Sequence, residues 1–176
     1  MNSSLKFPST RSGYLVRRLV PEDADLLQPL YEQCSAFFEL TNGVPPAQTA
    51  ARDEFDDVPD GKTPDDIYIF GLFDARDALV GAIAAVRHYP DEQTWWLGLM
   101  LLAPAQRRQG RGTDFYQAFE HWVATQGSDH ISLIAIETNQ SGRQFWQQMG
   151  FEVTRTIASK QFKRKVHRVY GFSRRI

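Results

Sequence analysis

The chain has 176 residues, 42% of them hydrophobic and 23% charged, and a formal net charge of -1. That length suits one domain, and four tryptophans with twelve phenylalanines supply a core, which excludes disorder as the default. The near-neutral balance also excludes a protein that coats nucleic acid through overall charge, while local basic patches stay open.

In chain order, the polar residues 1–11 read as a flexible N-terminal segment, and GYLVRRL, Gly13 to Leu19, predicts a first strand. Pro21, Glu22 and Asp23 suit the first turn of a helix carrying Leu26, Leu30 and Phe37, which Pro29 is expected to kink or split. A second helix is expected from Pro46 through Ala50 toward Phe55, and DDVPDGKTPDD then reads as a loop. IYIFGLF, Ile67 to Phe73, and LVGAIAAVRHY, Leu79 to Tyr89, predict a hairpin, and TWWLGLMLL, Thr94 to Leu102, a buried strand. Phe115, Phe119 and Trp122 at helical spacing predict an amphipathic helix ended by Gly127. Ile131 to Ile136 is a further buried strand, and a short helix from Ser141 to Met149 stops at Gly150. Phe151 opens a strand, a turn falls near Lys160, and a last strand covers Val166 to Phe172. The order predicts one α/β domain over residues 1–176: a mixed, mostly antiparallel sheet of about seven strands with helices on both faces.

The single cysteine, Cys34, forms no intramolecular disulfide and suits a reducing compartment. The N-terminal stretch has no signal-peptide core and no run reaches the length of a membrane span, so a cytoplasmic protein without a membrane partner is expected. His88, His121, His130 and His167 lack metal-ligand spacing, and no metal is expected.

Between the Thr94–Leu102 strand and the next helix, APAQRRQGRGTDF sets Arg107, Arg108 and Arg111 beside Gly110 and Gly112. The first N–H groups of a helix lack intrahelical partners and, with the helix dipole, favour an anion. Glycine lets backbone and ligand approach closely, and the arginine fork matches phosphate oxygens. A pyrophosphate suits these features; a solvated turn is the alternative. No P-loop lysine follows the glycines, and Phe115 stands where a dinucleotide fingerprint has its third glycine.

Arg107-x-x-Gly110-x-Gly112 after a strand ending Leu102-Ala103-Pro104, followed by Asn139 and then FWQQMGF, resembles the GNAT superfamily of acyl-CoA-dependent N-acetyltransferases. The likeness covers Leu79 to Phe151 in motif detail and the whole chain in element order. It implies a GNAT-like sheet in which the Thr94–Leu102 and Ile131–Ile136 strands are parallel and splay apart around the thioester of acetyl-CoA. It also implies that the backbone of Leu101 and Leu102 bonds the pantetheine arm of coenzyme A. By the same likeness the turn amides from Arg107 or Arg108 through Gln109, Gly110, Arg111, Gly112 and Thr113 face the pyrophosphate, and Asn139 bonds the pantetheine side. Trp146 stands where many members have a tyrosine acting as general acid; an indole N–H positions a sulfur or water without giving up a proton near neutral pH. Arg108 stands where members often have glycine.

The reaction implied is transfer of an acetyl group from acetyl-CoA to a primary amine by direct attack through a tetrahedral intermediate. Candidate bases are Glu137, beside the splayed strand end, Glu39, in the segment where family members form the acceptor pocket, and Glu92, with His88 and Tyr89 behind them. Seven carboxylates between Arg52 and Asp66 favour a small-molecule cationic amine, unless they form an ordinary solvated loop. Trp95 and Trp96 alternate across their strand, so one suits the floor of the acceptor cleft and the other packs under a helix. Eight Lys or Arg residues and no acid lie from Val153 to Ile176. They read as a charged edge that resists aggregation, with phosphate, acidic-peptide or nucleic-acid binding as alternatives. A non-catalytic acyl-CoA-binding module, a protein or peptide N-acetyltransferase, and a homodimer stay open.

Overall fold

The structure is a computed structural model describing residues 6–8 and 13–176. Of the N-terminal segment expected to be flexible, residues 1–5 and 9–11 lie outside the described residues, while Lys6–Pro8 form a short strand, β1. The chain continues through β2 (Leu15–Leu19), α1 (Ala24–Gln33), α2 (Ser35–Asn42), α3 (Ala50–Asp53), β3 (Ile67–Phe73) and β4 (Leu79–Val86). It then runs through β5 (Thr94–Leu102), α4 (Arg111–Thr125), β6 (His130–Ile136), α5 (Gln140–Gln148), β7 (Glu152–Phe162) and β8 (Lys165–Arg175). The strands form one sheet in the order β1-β2-β3-β4-β5-β6-β8-β7, one strand more than the sequence reading gives because of β1. Every neighbouring pair is antiparallel except β5–β6.

Alternation along the buried strands feeds two cores, one on each face of the sheet. Under α4 and α5, Phe115, Phe119 and Trp122 pack on Phe70, Trp95 and Leu133. On the other face α1, α2 and α3 bring Leu27, Leu30, Tyr31, Phe38 and Ala51 onto Ile69, Ala84 and Leu99. Among the described residues no helix is long and apolar enough to cross a membrane.

Several boundaries differ from the sequence reading. The break in the first helical region falls at Cys34, not at Pro29, which stays inside α1. Burial of Leu27, Leu30, Tyr31 and Cys34 along one stripe holds the helix through the residue that lacks an N–H. Leu26, expected on that stripe, is 50% exposed. The second helix shrinks to the four residues of α3. β4 ends at Val86, and the turn between β7 and β8 falls at Lys163 and Arg164.

Two features of β5 create the site. It pairs with β6 only from Thr94 to Trp96, opposite His130 to Ser132, so the strands part beyond that point. Against β4, Ala84 faces Leu99 and Ala85 faces Leu97, leaving Gly98 as an extra residue; such a bulge bends its strand.

Candidate active site

The turn into α4 has the features that suit an anion. Gly110, at φ 77°, is the N-cap and provides no side-chain cap. The first intrahelical bond is Asp114 N–H to Gly110 O, at 3.1 Å, so the helix itself leaves the amides of Arg111, Gly112 and Thr113 unpaired. Arg108 holds φ 59°, a left-handed backbone that costs a non-glycine residue on the order of 1–3 kcal/mol. This is the backbone that a glycine would adopt without strain, so Arg108 keeps the glycine conformation at a steric cost.

The three arginines do not share one task. Arg107 Nε donates to Leu102 O at 2.9 Å, and its Nη2 lies 3.5 Å from Cys34 Sγ. Arg111 bonds Gln106 and stacks its guanidinium 5.0 Å from the centre of the Tyr14 ring. Both brace the turn. The Arg108 side chain is exposed, with no side-chain partner among the described residues. Gln109 Nε2 donates to Ala105 O at 2.9 Å.

Strand register corrects one expected backbone contact. Ala103 N–H bonds Val80 O at 2.9 Å, and Leu101 stands opposite Ala82. In an antiparallel pair the bonding residues alternate, so Ala103 and Leu101 turn their N–H and C=O toward β4. Leu101 therefore does not offer them to the gap; Leu102 and Met100 do. The Leu102 carbonyl already accepts from Arg107 and, at 3.4 Å, from Cys34 Sγ. Burial pushes the Cys34 thiol up, against the opposing pull of Arg107, so this cysteine stays a protonated donor.

Asn139 and Trp146 also have structural work. Asn139 caps α5 through Oδ1, which accepts from Gly142 N–H at 3.0 Å, and the cap leaves its Nδ2 hydrogens for other partners. Trp146 is only 8% exposed and meets Tyr116, Phe145 and Phe151 at ring distances of 5.5, 4.9 and 5.3 Å. Its indole fills the core under α4 and α5. The residue beside the cradle is Phe145: a Cβ on Gly112 would sit 3.4 Å from its ring and 3.5 Å from Leu102. Its sequence signal lay in the same FWQQMGF segment.

On the α1–α3 face, a cleft of about 490 Å³ opens over the bulge, lined by Trp96, Gly98 and Ile134 of the sheet, Glu54 and Asp57 after α3, and Arg155 of β7. Trp96 thus floors the cleft while Trp95 packs against Phe119 and Trp122 under α4. Glu54 was not among the expected bases. Its Oε2 accepts from Tyr31 OH at 2.8 Å. Burial raises its carboxyl to about 7, the Tyr31 bond pulls it back, and Asp57 adds to the rise. The ARDEF segment held the signal only as one acid among seven; the fold gives this one an enclosed place.

Neither Glu137 nor Glu39 lines the cleft. Glu137 is half exposed, accepts from Tyr170 OH at 3.1 Å and lies 3.6 Å from Arg168. Glu39 is on the exposed side of α2, accepting from Ser35 one turn earlier at 2.7 Å. Glu92 and His88 are also outside the cleft, while Tyr89 lines it. Among the described residues no group of His, Cys, Asp and Glu side chains is placed to hold a metal.

Comparison with known proteins places this architecture. The family model described as Acetyltransferase (GNAT) family matches residues 27–151. No match was found among curated proteins. An acetyltransferase from Thermus thermophilus superposes with TM-score 0.72 at 20% identity, covering 93% of this chain and 97% of that one. A Salmonella typhimurium acetyltransferase that modifies the N-terminal serine of ribosomal protein L7/L12 superposes with TM-score 0.80 at 13% identity, covering 98% and 99%. A ribosomal L7/L12 α-N-protein acetyltransferase in complex with coenzyme A gives TM-score 0.78 at 13% identity, covering 98% of each chain. At these identities the likenesses carry the fold alone. With a splayed parallel pair at its centre and a family match across more than half its length, the chain belongs to the acetyltransferase (GNAT) family.

Proposed function

We propose that this protein moves an acetyl group from acetyl-CoA, the co-substrate of its family, to the primary amine of a small molecule, with Glu54 as general base. One observation carries the reading. A single splayed strand, β5, links a carboxyl raised to about 7 in a cleft at its bulge with free helix amides just past its C-terminal end.

The residues around β5 fit coenzyme A. Amides of Arg111, Gly112 and Thr113 and the Arg108 guanidinium suit the pyrophosphate. The open-edge backbone of Met100, the Leu102 N–H and the Nδ2 of Asn139 suit the amide-bearing arm. Bound there, the co-substrate supplies an activated acyl group on a thiol whose reference pKa is about 8.5.

An alkylammonium has a pKa of about 10.4, so the acceptor must lose a proton before it can attack. Glu54 takes that proton; the neutral amine attacks the acyl carbon to form a tetrahedral intermediate, an N–C bond replaces the C–S bond as the thiolate departs, and the nitrogen's second proton passes to solvent. With Trp146 in the core, no protein acid is assigned to the leaving thiolate. Alignment contributes on the order of 7–11 kcal/mol and general acid help about 10²–10⁴ in rate, so its absence slows the reaction without abolishing it. A cleft of about 490 Å³ suits a small acceptor. A peptide α-amine is the second reading, favoured by the fold likeness to the acetyltransferase acting on an N-terminal serine.

The test is thiol release from acetyl-CoA across polyamines, aminoglycosides, amino acids and short peptides. One class is expected to release thiol well above background, and Glu54→Gln to lower kcat/KM by roughly 10²–10⁴. Full activity in that variant would remove Glu54 from the mechanism.

A further inference from the structure

The cleft has two charged walls of opposite sign. Glu54 and Asp57 stand on one, Arg155 and Lys160 on the other. Plain strand alternation would not join the two cations, since residues five apart point to opposite faces. The register does. Arg155, Ile157 and Lys160 pair with Gly171, Val169 and His167, every second residue of β8 and hence one face. Between Ile157 and Lys160, β7 has one residue more than β8, and this bulge returns Lys160 to the face of Arg155. Gly171 makes room for the other cation: a Cβ there would lie 2.6 Å from Arg155 Cγ and 3.0 Å from its Nε.

Pairing separates these two from three arginines of the hairpin. Arg168, Arg174 and Arg175 have acidic partners in Glu137, Glu120 and Asp129. No ion pair joins Arg155 or Lys160 to a carboxylate among the described residues. Among the described residues, two cations without a carboxylate partner thus border the cleft that holds Glu54.

Resting on the transferase reading above, we propose that the acceptor is a small amphoteric molecule whose amine meets Glu54 and whose anionic group, a carboxylate or phosphate, is held by Arg155 and Lys160. Its apolar part lies against Trp96 and Ile157, which line the same cleft. A polyamine would set its own charges against Arg155 and Lys160, whereas an anion uses the arginine fork and the lysine together.

Matched acceptors test this: amino acids, their amides and their aminophosphonate analogues, each assayed by thiol release from acetyl-CoA. The acid-bearing form is expected to exceed its amide on the order of ten- to hundredfold in kcat/KM, the size of a lost charged hydrogen bond. The phosphonate arm identifies which anion the site holds. Arg155→Gln with Lys160→Gln should pull the acid-to-amide ratio toward one, mainly through KM, and Arg155→Lys should keep part of it. Equal use of acid and amide by the unaltered protein overturns the proposal while leaving the transferase intact. If no amine releases thiol, the transferase reading falls. Calorimetry with coenzyme A present then decides the acceptor site: tighter binding of acid than amide, lost in the double variant, supports it, and equal binding overturns it.

Discussion

At Glu54, burial and a hydrogen bond from Tyr31 pull the carboxyl in opposite directions. Burial raises the carboxyl, and the phenol bond at 2.8 Å holds it near 7. Tyr31→Phe removes that restraint, so the acid limb of the kcat/KM profile should move upward from about pH 7; an unmoved limb would assign it to another group. The same shift sets a stability slope. A carboxyl whose pKa rises on folding binds its proton more tightly in the folded state. Its favourable contribution is therefore full below the ordinary value of 4.5 and lost as pH rises to about 7. At 1.36 kcal/mol per unit this is at most roughly 3 kcal/mol, and Glu54→Gln should flatten the fall in Tm across that window.

Among the elements, α5 depends on a fit between two residues that the sequence displays without explaining. A Cβ on Gly142 would lie 2.5 Å from Asn139 Nδ2 and 2.8 Å from its Cγ. Gly142→Ala should displace the Asn139 side chain and lose its cap, costing about 1 kcal/mol of stability and weakening coenzyme A binding together. Calorimetry that finds affinity unchanged would make Asn139 a cap alone. The β7–β8 hairpin has a parallel role at the C-terminal end of α2. Lys165 Nζ reaches Leu40 O at 3.2 Å, His167 Nε2 lies 2.9 Å from Thr41 O, and Arg164 N–H bonds Asn42 O at 3.0 Å. These donors satisfy the last carbonyls of α2, which accounts for part of the basic run at the C-terminal end of the sequence.

For the whole molecule, a ligand spanning β5, α4 and α5 must stabilise the fold that brings them together. Coenzyme A at about 100 times its Kd should add roughly 2.7 kcal/mol, a Tm rise of roughly 5–10 °C for a domain of this size; no rise would remove the proposed cradle. The sequence by itself determined the strand and helix order, the two-faced sheet and the glycine-and-arginine turn that opens α4, because these rest on periodicity, glycine and charge close together along the chain. The family likeness came from the same local runs, Arg107 to Gly112 and Asn139 to Phe151. Tertiary structure alone chose Glu54 among seven acids, since its raised pKa comes from enclosure with Tyr31, 23 residues away. It placed Phe145 rather than Trp146 beside the cradle, since helix rotation against α4 decides which ring is buried. Register made the remaining decisions: an extra residue in β5 opens the cleft floor, another in β7 turns Lys160 toward it, and the alternation set by β4 directs Leu102, not Leu101, to the gap. Composition carries no trace of register, because it is fixed only when one strand is laid against another.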